Sequence, residues 1–269
     1  VVLIDGAEAD SISVTDRALQ FGDGCFTTAL VVNGQVVRID DHLQRLKEAC
    51  HRLAIPFTHW SVTEQEMQQL AAGHQQGVVK VLISRGSGGR GYAISGCDQP
   101  RRIISVSAYP THYAQWRKQG IRLATSPVRL GLNPALAGIK HLNRLEQVLI
   151  RQFIDSAGVD EALVLDYHGR VVECCTANIF WRCGDELFTP RLDEAGVDGT
   201  MRRYLIRLLS AQGYAVQQTA ADASILQAAE EVFICNSLLP VVPVISIDGR
   251  NYAPGKLTRR LSEICNTPG

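Results

Sequence analysis

The chain has 269 residues, 46% of them apolar and 20% charged, enough apolar material for two modest domains or one large one. Its 27 basic and 27 acidic residues cancel, which excludes a broad basic field for nucleic acid. No apolar run approaches the roughly 18 residues of a membrane span, and the opening VVLIDG lacks the basic start and long apolar region of an export signal.

Taken in chain order, VVLIDG reads as a strand and a turn. CFTTALV and QVVRI alternate as two strands joined at Asn33-Gly34, a favoured hairpin turn. Asp40 or Asp41 is expected to cap a helix through Leu43, Leu46 and Leu53, ended near Pro56, and a second amphipathic helix covers about 62–72. VVKVLISR and RIISVSAYP are strands on either side of a glycine-heavy loop, 86–98, that reads as a mobile pocket rim. HYAQWRKQG, 112–120, is the expected connection between an N-terminal domain, 1–111, and a C-terminal domain, 121–269. Beyond it, strands are expected at IRLATSPV, EALVLDY, RVVECC, NIFWRC, ELFTP, AVQQTA and EVFICN. Helices are expected over MRRYLIRLLSAQG, stopped by Gly213, and near 221–229. Alternation and hairpin turns predict an α+β fold with largely antiparallel sheets, and no GxGxxG opens a doubly wound nucleotide unit.

The eight cysteines show no CxxC spacing and lie in a chain too long to need a disulfide scaffold, so unbridged, mostly buried thiols and a cytoplasmic location are expected. HExxH and clustered Cys/His spacing are missing, so no metal is expected. GxSxG and GxxxxGK[ST] are also absent, which argues against a serine hydrolase and an ATP-binding loop.

Lys140 stands at or before the start of a helix whose apolar stripe is Leu142, Leu145 and Leu149. A lysine ordinarily favours the other helix end, so it is either a plain surface charge or an amine placed for chemistry. If desolvated, a neutral amine attacks an aldehyde. Glu173 shares a strand face with Val171 and Cys175, which calls for a cationic partner unless that face is open to water. Asp198-Gly199-Thr200 precedes the helix from Met201, and its N–H groups suit a phosphate, although Thr200 also reads as a simple cap. Ser237 is a hydroxyl donor or an ordinary turn residue; Arg45 either faces solvent or grips a phosphate. Arg85, Arg90 and Tyr92 sit in the glycine loop, where an arginine clamps a carboxylate or is merely solvated. Near the start, Asp23, Phe26 and Thr28 lie in FGDGCFTT, with Phe26 a core candidate and Thr28 a neutral pocket hydroxyl.

Together the stretches DRALQFGDGCFTT (16–28), DDHLQRL (40–46), SRGSGGRGY (84–92), AGIKHLNRLEQVL (137–149), DEALVLDYHGRVVECCTANIF (160–180), GVDGTMR (196–202) and FICNSLLPVVPV (233–244) resemble the fold-type IV pyridoxal-phosphate enzymes. The resemblance spans nearly the whole chain in the same motif order. Within the family it is strongest to lyases that convert 4-amino-4-deoxychorismate to 4-aminobenzoate and pyruvate. It implies a smaller N-terminal α/β domain, a C-terminal α/β pseudo-barrel domain, pyridoxal 5'-phosphate in the cleft between them, and a homodimer. By motif position, Lys140 is similar to the cofactor-anchoring lysine and proton carrier, and Glu173 to the acid at the pyridine nitrogen. Arg45, the backbone of Thr200 and Met201, and Ser237 resemble the phosphate site. Thr28 resembles a catalytic pocket threonine, and Arg90 and Tyr92 a substrate-carboxylate loop. Two residues depart from transaminase relatives: Met201 replaces a threonine, and Leu145 replaces a tyrosine five residues after the lysine. A D-amino-acid or branched-chain transaminase on the same cofactor frame is the alternative activity, and an interaction protein on the same scaffold the non-enzyme one.

Overall fold

The computed structural model describes residues 1–266. Two compact units divide the chain: Val1–Tyr109 with Lys140–Asn143, and Pro110–Ile139 with the chain from Arg144 onward. No helix among the described residues is long and apolar enough to cross a membrane.

The first unit runs β1 (Val2–Ile4), β2 (Ala7–Glu8), α1 (Arg17–Phe21), β3 (Gly24–Val32), β4 (Gln35–Val36), α2 (Ile39–Arg52), α3 (Trp60–Ala71), β5 (Gln76–Ser84) and β6 (Arg101–Ser107). Its six strands form one sheet in the order β2-β1-β6-β5-β3-β4, antiparallel throughout. The β3–β4 hairpin turns at Asn33 and Gly34, both at positive φ, as the sequence predicts. β3 alternates cleanly: Cys25, Thr27, Ala29 and Val31 are sealed, whereas Phe26, Thr28 and Leu30 are half-buried. Helix α2 covers the sealed face with Leu43, Leu46 and Cys50, at the spacing of one helical stripe. Each large apolar side chain buried this way contributes about 1.5–3 kcal/mol. The cap of α2 differs from expectation. Arg38 is the N-cap, in the left-handed region and without a side-chain capping bond, while Asp40 and Asp41 occupy the first turn, where their charge still favours the helix dipole.

The second unit contains α4 (Tyr113–Gln119), β7 (Ile121–Thr125), α5 (Leu145–Ala157), β8 (Glu161–Leu165), β9 (Val171–Cys174), β10 (Asn178–Cys183), β11 (Glu186–Pro190), α6 (Thr200–Ala211), β12 (Val216–Thr219), β13 (Glu231–Cys235), β14 (Val242–Ile247), β15 (Arg250–Asn251) and α7 (Lys256–Asn266). The segment read as an interdomain connection thus carries a helix and belongs to this unit. The helix expected near 221–229 is a short 3-10 turn, Ala223–Gln227. The sheet order is β12-β11-β10-β13-β14-β7-β8-β9, with β15 on β14. Three of its pairings are parallel: β11 with β12, β14 with β7, and β7 with β8. β9 ends the ladder, yet the tight Cys174–Ala177 turn joins it to β10, three places from the other end. A ladder connected in that way has to curl round, which makes the unit a pseudo-barrel. Its core stacks Phe180 on Phe233, cross-strand partners with ring centroids 5.0 Å apart, and adds Met201, Leu205 and Leu209 from α6.

The apolar stripe expected around Lys140 is corrected by the structure. α5 begins only at Leu145, so Leu142 lies outside it. Ile150 and Ile154 form its buried side, while Leu145, Val148 and Leu149 are 78%, 61% and 51% exposed.

The β9–β10 turn is held by Glu161, a buried carboxylate. Its oxygens accept from the N–H groups of Ala162, Cys175 and Thr176 and from Thr176 Oγ1, at 2.6–3.1 Å. Glu161→Ala leaves these donors buried and unmet, and is expected to lower unfolding free energy by about 2–4 kcal/mol in urea titration.

Candidate functional site

Lys140 is not part of a helix. Its carbonyl accepts from Phe26 N–H at 2.9 Å, and Leu142 N–H donates to Gly24 O at 3.1 Å, so that His141 bridges Cys25. The segment adds to the stretch of β3 that its short pairing with β4 leaves open. A Cβ at Gly24 would meet Ile83 O at 2.3 Å and Leu142 Cδ1 at 2.7 Å, so only glycine permits this approach. Lys140 is half-buried, with Nζ 4.6 Å from the centroid of Phe26, which therefore serves as a platform as well as a packing residue.

Thr28 lies two residues along β3 from Phe26 and shares its half-buried face. Directly across the ladder from Thr28 is Lys80, whose exposed side chain puts Nζ 5.2 Å from the same Phe26 ring. The sequence reading missed Lys80; the signal was a lysine in register with Thr28 inside the apolar run VVKVLIS.

Arg45 is buried on α2, one turn beyond His42, which removes the reading of a freely solvated arginine. His42, 1% exposed, bonds Thr27 Oγ1 through Nδ1 at 2.7 Å and so fastens this helix to β3. Burial, with the charges of Arg45 and Arg38 adding to it, pushes the His42 pKa down to about 3, so the ring is neutral.

The glycine-rich loop divides its arginines. Arg90 and Tyr92 are exposed, Tyr92 at 86%. Arg85 is 4% exposed and donates to Asp23, Leu53 O and Ala54 O, each at 2.7 Å, so it holds the fold and is no substrate clamp.

In the second unit, Glu173 is 4% exposed, and its Oε2 accepts from Val197 N–H at 2.7 Å. Arg144 is its electrostatic neighbour: burial lowers the arginine's pKa, while the charges of Glu173 and Glu146 oppose that shift. The sequence reading did not single out Arg144. Asn178 donates to Val197 O at 2.8 Å, fixing the loop that leads into α6. Gly199 is the N-cap of α6 and supplies no side-chain cap, and Thr200 is the first helical residue. Thr200 Oγ1 is buried without a hydrogen-bond partner in the structure. Met201 turns its side chain into the core, leaving only its backbone at the helix start. Ser237 is half-buried in the turn after β13, where Asn236 Oδ1 accepts from the N–H groups of Leu238 and Leu239.

An antiparallel α/β unit and a curled, mixed pseudo-barrel unit define the fold-type IV class. A family model described as amino-transferase class IV matches residues 24–247. The chain is 38% identical to an aminodeoxychorismate lyase of Vibrio harveyi, over 98% of this chain and 99% of that one. It is 31% identical to a putative branched-chain-amino-acid aminotransferase of Methanocaldococcus jannaschii, over 94% and 89%. Among solved structures, the 4-amino-4-deoxychorismate lyase from Pseudomonas aeruginosa matches with a TM-score of 0.94 and 40% identity, over 98% and 97% of the two chains. The chain belongs to the class IV amino-transferase family.

His42 generates a pH prediction. Its folded pKa lies below the unfolded value of 6.5, so the unfolded chain binds the extra proton first. The stability from the neutral ring is complete above pH 6.5 and is lost as pH falls toward 3, at up to about 1.4 kcal/mol per pH unit. Denaturant melts across that range should show a shallower acid slope in His42→Gln.

Proposed function

We propose that the chain is a pyridoxal-phosphate-dependent lyase that converts 4-amino-4-deoxychorismate to 4-aminobenzoate and pyruvate, a step of folate biosynthesis. The observation that carries this reading is the placement of Lys140, pinned by its main chain to β3 with its amine over Phe26. The substrate follows from the similarity to lyases of that name along nearly the full chain.

The residues present fit the cofactor. An orphaned hydroxyl at Thr200, above a helix start without a side-chain cap, suits a phosphate, which accepts from O–H and N–H alike. By motif position, Arg45, Met201 through its N–H, and Ser237 are also assigned to phosphate binding. Lys140 would hold the aldehyde carbon of the cofactor. Glu173, its orientation set by Val197, would hold the ring nitrogen protonated. When bound, pyridoxal phosphate supplies an electron sink for the carbon that carries the substrate amine.

In the reaction, the Lys140 amine removes the proton from that ring carbon. The electron pair expels the enolpyruvyl oxygen from the adjacent carbon, the ring becomes aromatic, and the released enolpyruvate tautomerises to pyruvate. Thr28 orients the departing oxygen through its hydroxyl. Arg90 and Tyr92 hold a substrate carboxylate, and Lys80, on the Thr28 face, adds a second cation for a substrate with two carboxylates.

We also assign a homodimer and a cytoplasmic setting. Leu145, Val148 and Leu149 form an exposed apolar patch on α5 of the kind that a second copy covers. None of the eight cysteines forms a disulfide, as suits a reducing compartment.

Purified enzyme should show the visible absorbance of bound cofactor and should release 4-aminobenzoate and pyruvate in equal amounts. Lys140→Ala should abolish the band and lower kcat by at least about 1000-fold. Alternating amino- and keto-acid half-reactions without these products would instead identify a transaminase, and turnover surviving in Lys140→Ala would remove the lysine from its role.

A further inference from the structure

Arg17 belongs to none of the assignments above, yet it is 4% exposed and fully engaged. Its Nε donates to Asp23 Oδ2 at 2.9 Å. Its Nη1 donates to Gly91 O at 3.0 Å and Ala93 O at 3.2 Å, and Nη2 reaches Tyr92 O at 3.5 Å. Three consecutive carbonyls of the glycine-rich loop therefore turn inward onto one guanidinium. The loop bends tightly to do so: at Gly89, φ is +69°, and a Cβ would meet Ala93 O at 2.0 Å. The guanidinium also stacks on Phe21, 4.8 Å from its centroid, and the Phe21 ring lies 5.4 Å from that of Tyr92.

The other side of this arrangement is equally fixed. Asp23 Oδ2 accepts from Arg85 as well as from Arg17, and Arg85 is bonded to the two carbonyls that follow α2. Burial alone would raise the Asp23 pKa, but the hydrogen bonds from Arg85 and Arg17 outweigh it and keep the carboxyl below its usual value. Asp23 is thus ionised and joins both arginines.

We propose that Arg17 is a positioning residue for substrate selection: by gathering the carbonyls of residues 91–93, it sets the loop conformation that presents Arg90 and Tyr92 to a carboxylate. This rests on the assignment of Arg90 and Tyr92 as carboxylate ligands. Lysine cannot replace it, because a single ammonium neither spans a carboxylate and three carbonyls nor presents a planar cation over the Phe21 ring. Lys140 is held by β3, and Arg45 lies on α2, so cofactor binding is independent of the fork on Arg17.

The test uses holoenzyme and compares Arg17→Lys with Arg90→Ala. Arg17→Lys should raise KM about tenfold with kcat within about threefold of wild type, a loss of substrate binding that spares the chemistry. Spectral titration with pyridoxal phosphate should be unchanged, and amide hydrogens at 88–94 should exchange at least about tenfold faster. If Arg90→Ala raises KM and Arg17→Lys does not, the role given to Arg17 is wrong while the carboxylate assignment stands. If Arg90→Ala leaves KM unchanged, the carboxylate assignment fails and the proposal falls with it. A raised KM without faster exchange in the loop would show that the effect does not pass through the loop, and overturns the proposal. Should Arg17→Lys not fold, Asp23→Asn, which keeps Arg17 but removes its charged partner, carries the same comparison.

Discussion

The pairing of Lys140–Leu142 with the edge of β3 is the constraint on which the rest of the site depends. A lysine side chain has four rotatable carbons and a large rotamer entropy, so a catalytic amine is only as well placed as the backbone that carries it. Here that backbone lies on a sheet strand and not in a free loop. The same strand supplies the Phe26 ring near the amine and carries Thr28 on the same face, because alternate residues share a face. Gly24 makes the close approach possible, and the opposite face of β3 is sealed by α2. One strand thus has a packing side and a half-buried side on which the proposed chemistry is placed.

Cations are distributed by burial and partner more than by number. Arg17, Arg85, Arg102 and Arg202 are all buried, and each donates to carboxylates or carbonyls of the fold: Arg102 to Glu66, Arg202 to Asp198, Pro190 and Gln218. A buried guanidinium with several acceptors is costly to disturb and poorly suited to exchanging ligands. Arg90 and Lys80, by contrast, are exposed. A net charge of zero is compatible with the charged substrate proposed, since a few oriented groups suffice to select it.

Much of the fold was legible in the sequence wherever the signal was local. β3, its Asn33-Gly34 turn, β5, β6 and the strands from β7 to β13 were readable from alternation, and α2, α3 and α6 from helical periodicity. α5 misled because an i, i+3, i+4 apolar stripe is the same pattern whether it faces its own core or a partner. Arg38 as the cap of α2 went against side-chain preference, since a left-handed non-glycine residue is set by the surrounding structure. α4 was hidden in a polar stretch with few apolar positions, HYAQWRKQG. Motifs named Lys140, Glu173, Arg45, Thr200 and Ser237 as candidates; Arg17 and Arg144 lie inside motif stretches but were not singled out there, and Lys80 lies outside all of them.

The sequence by itself determined the class of protein, the order of its elements and the residue types available for chemistry, because these are carried by periodicity, turn residues and motif order over short distances. Only the tertiary structure decided that Lys140 joins a sheet edge, that Arg85 is structural while Arg90 is exposed, and that three sheet pairings run parallel. Those outcomes depend on contacts between residues far apart in the chain, such as Gly24 with Leu142 and Arg17 with Ala93. Such contacts are chosen by burial and hydrogen-bond satisfaction of the whole, and no local window contains them.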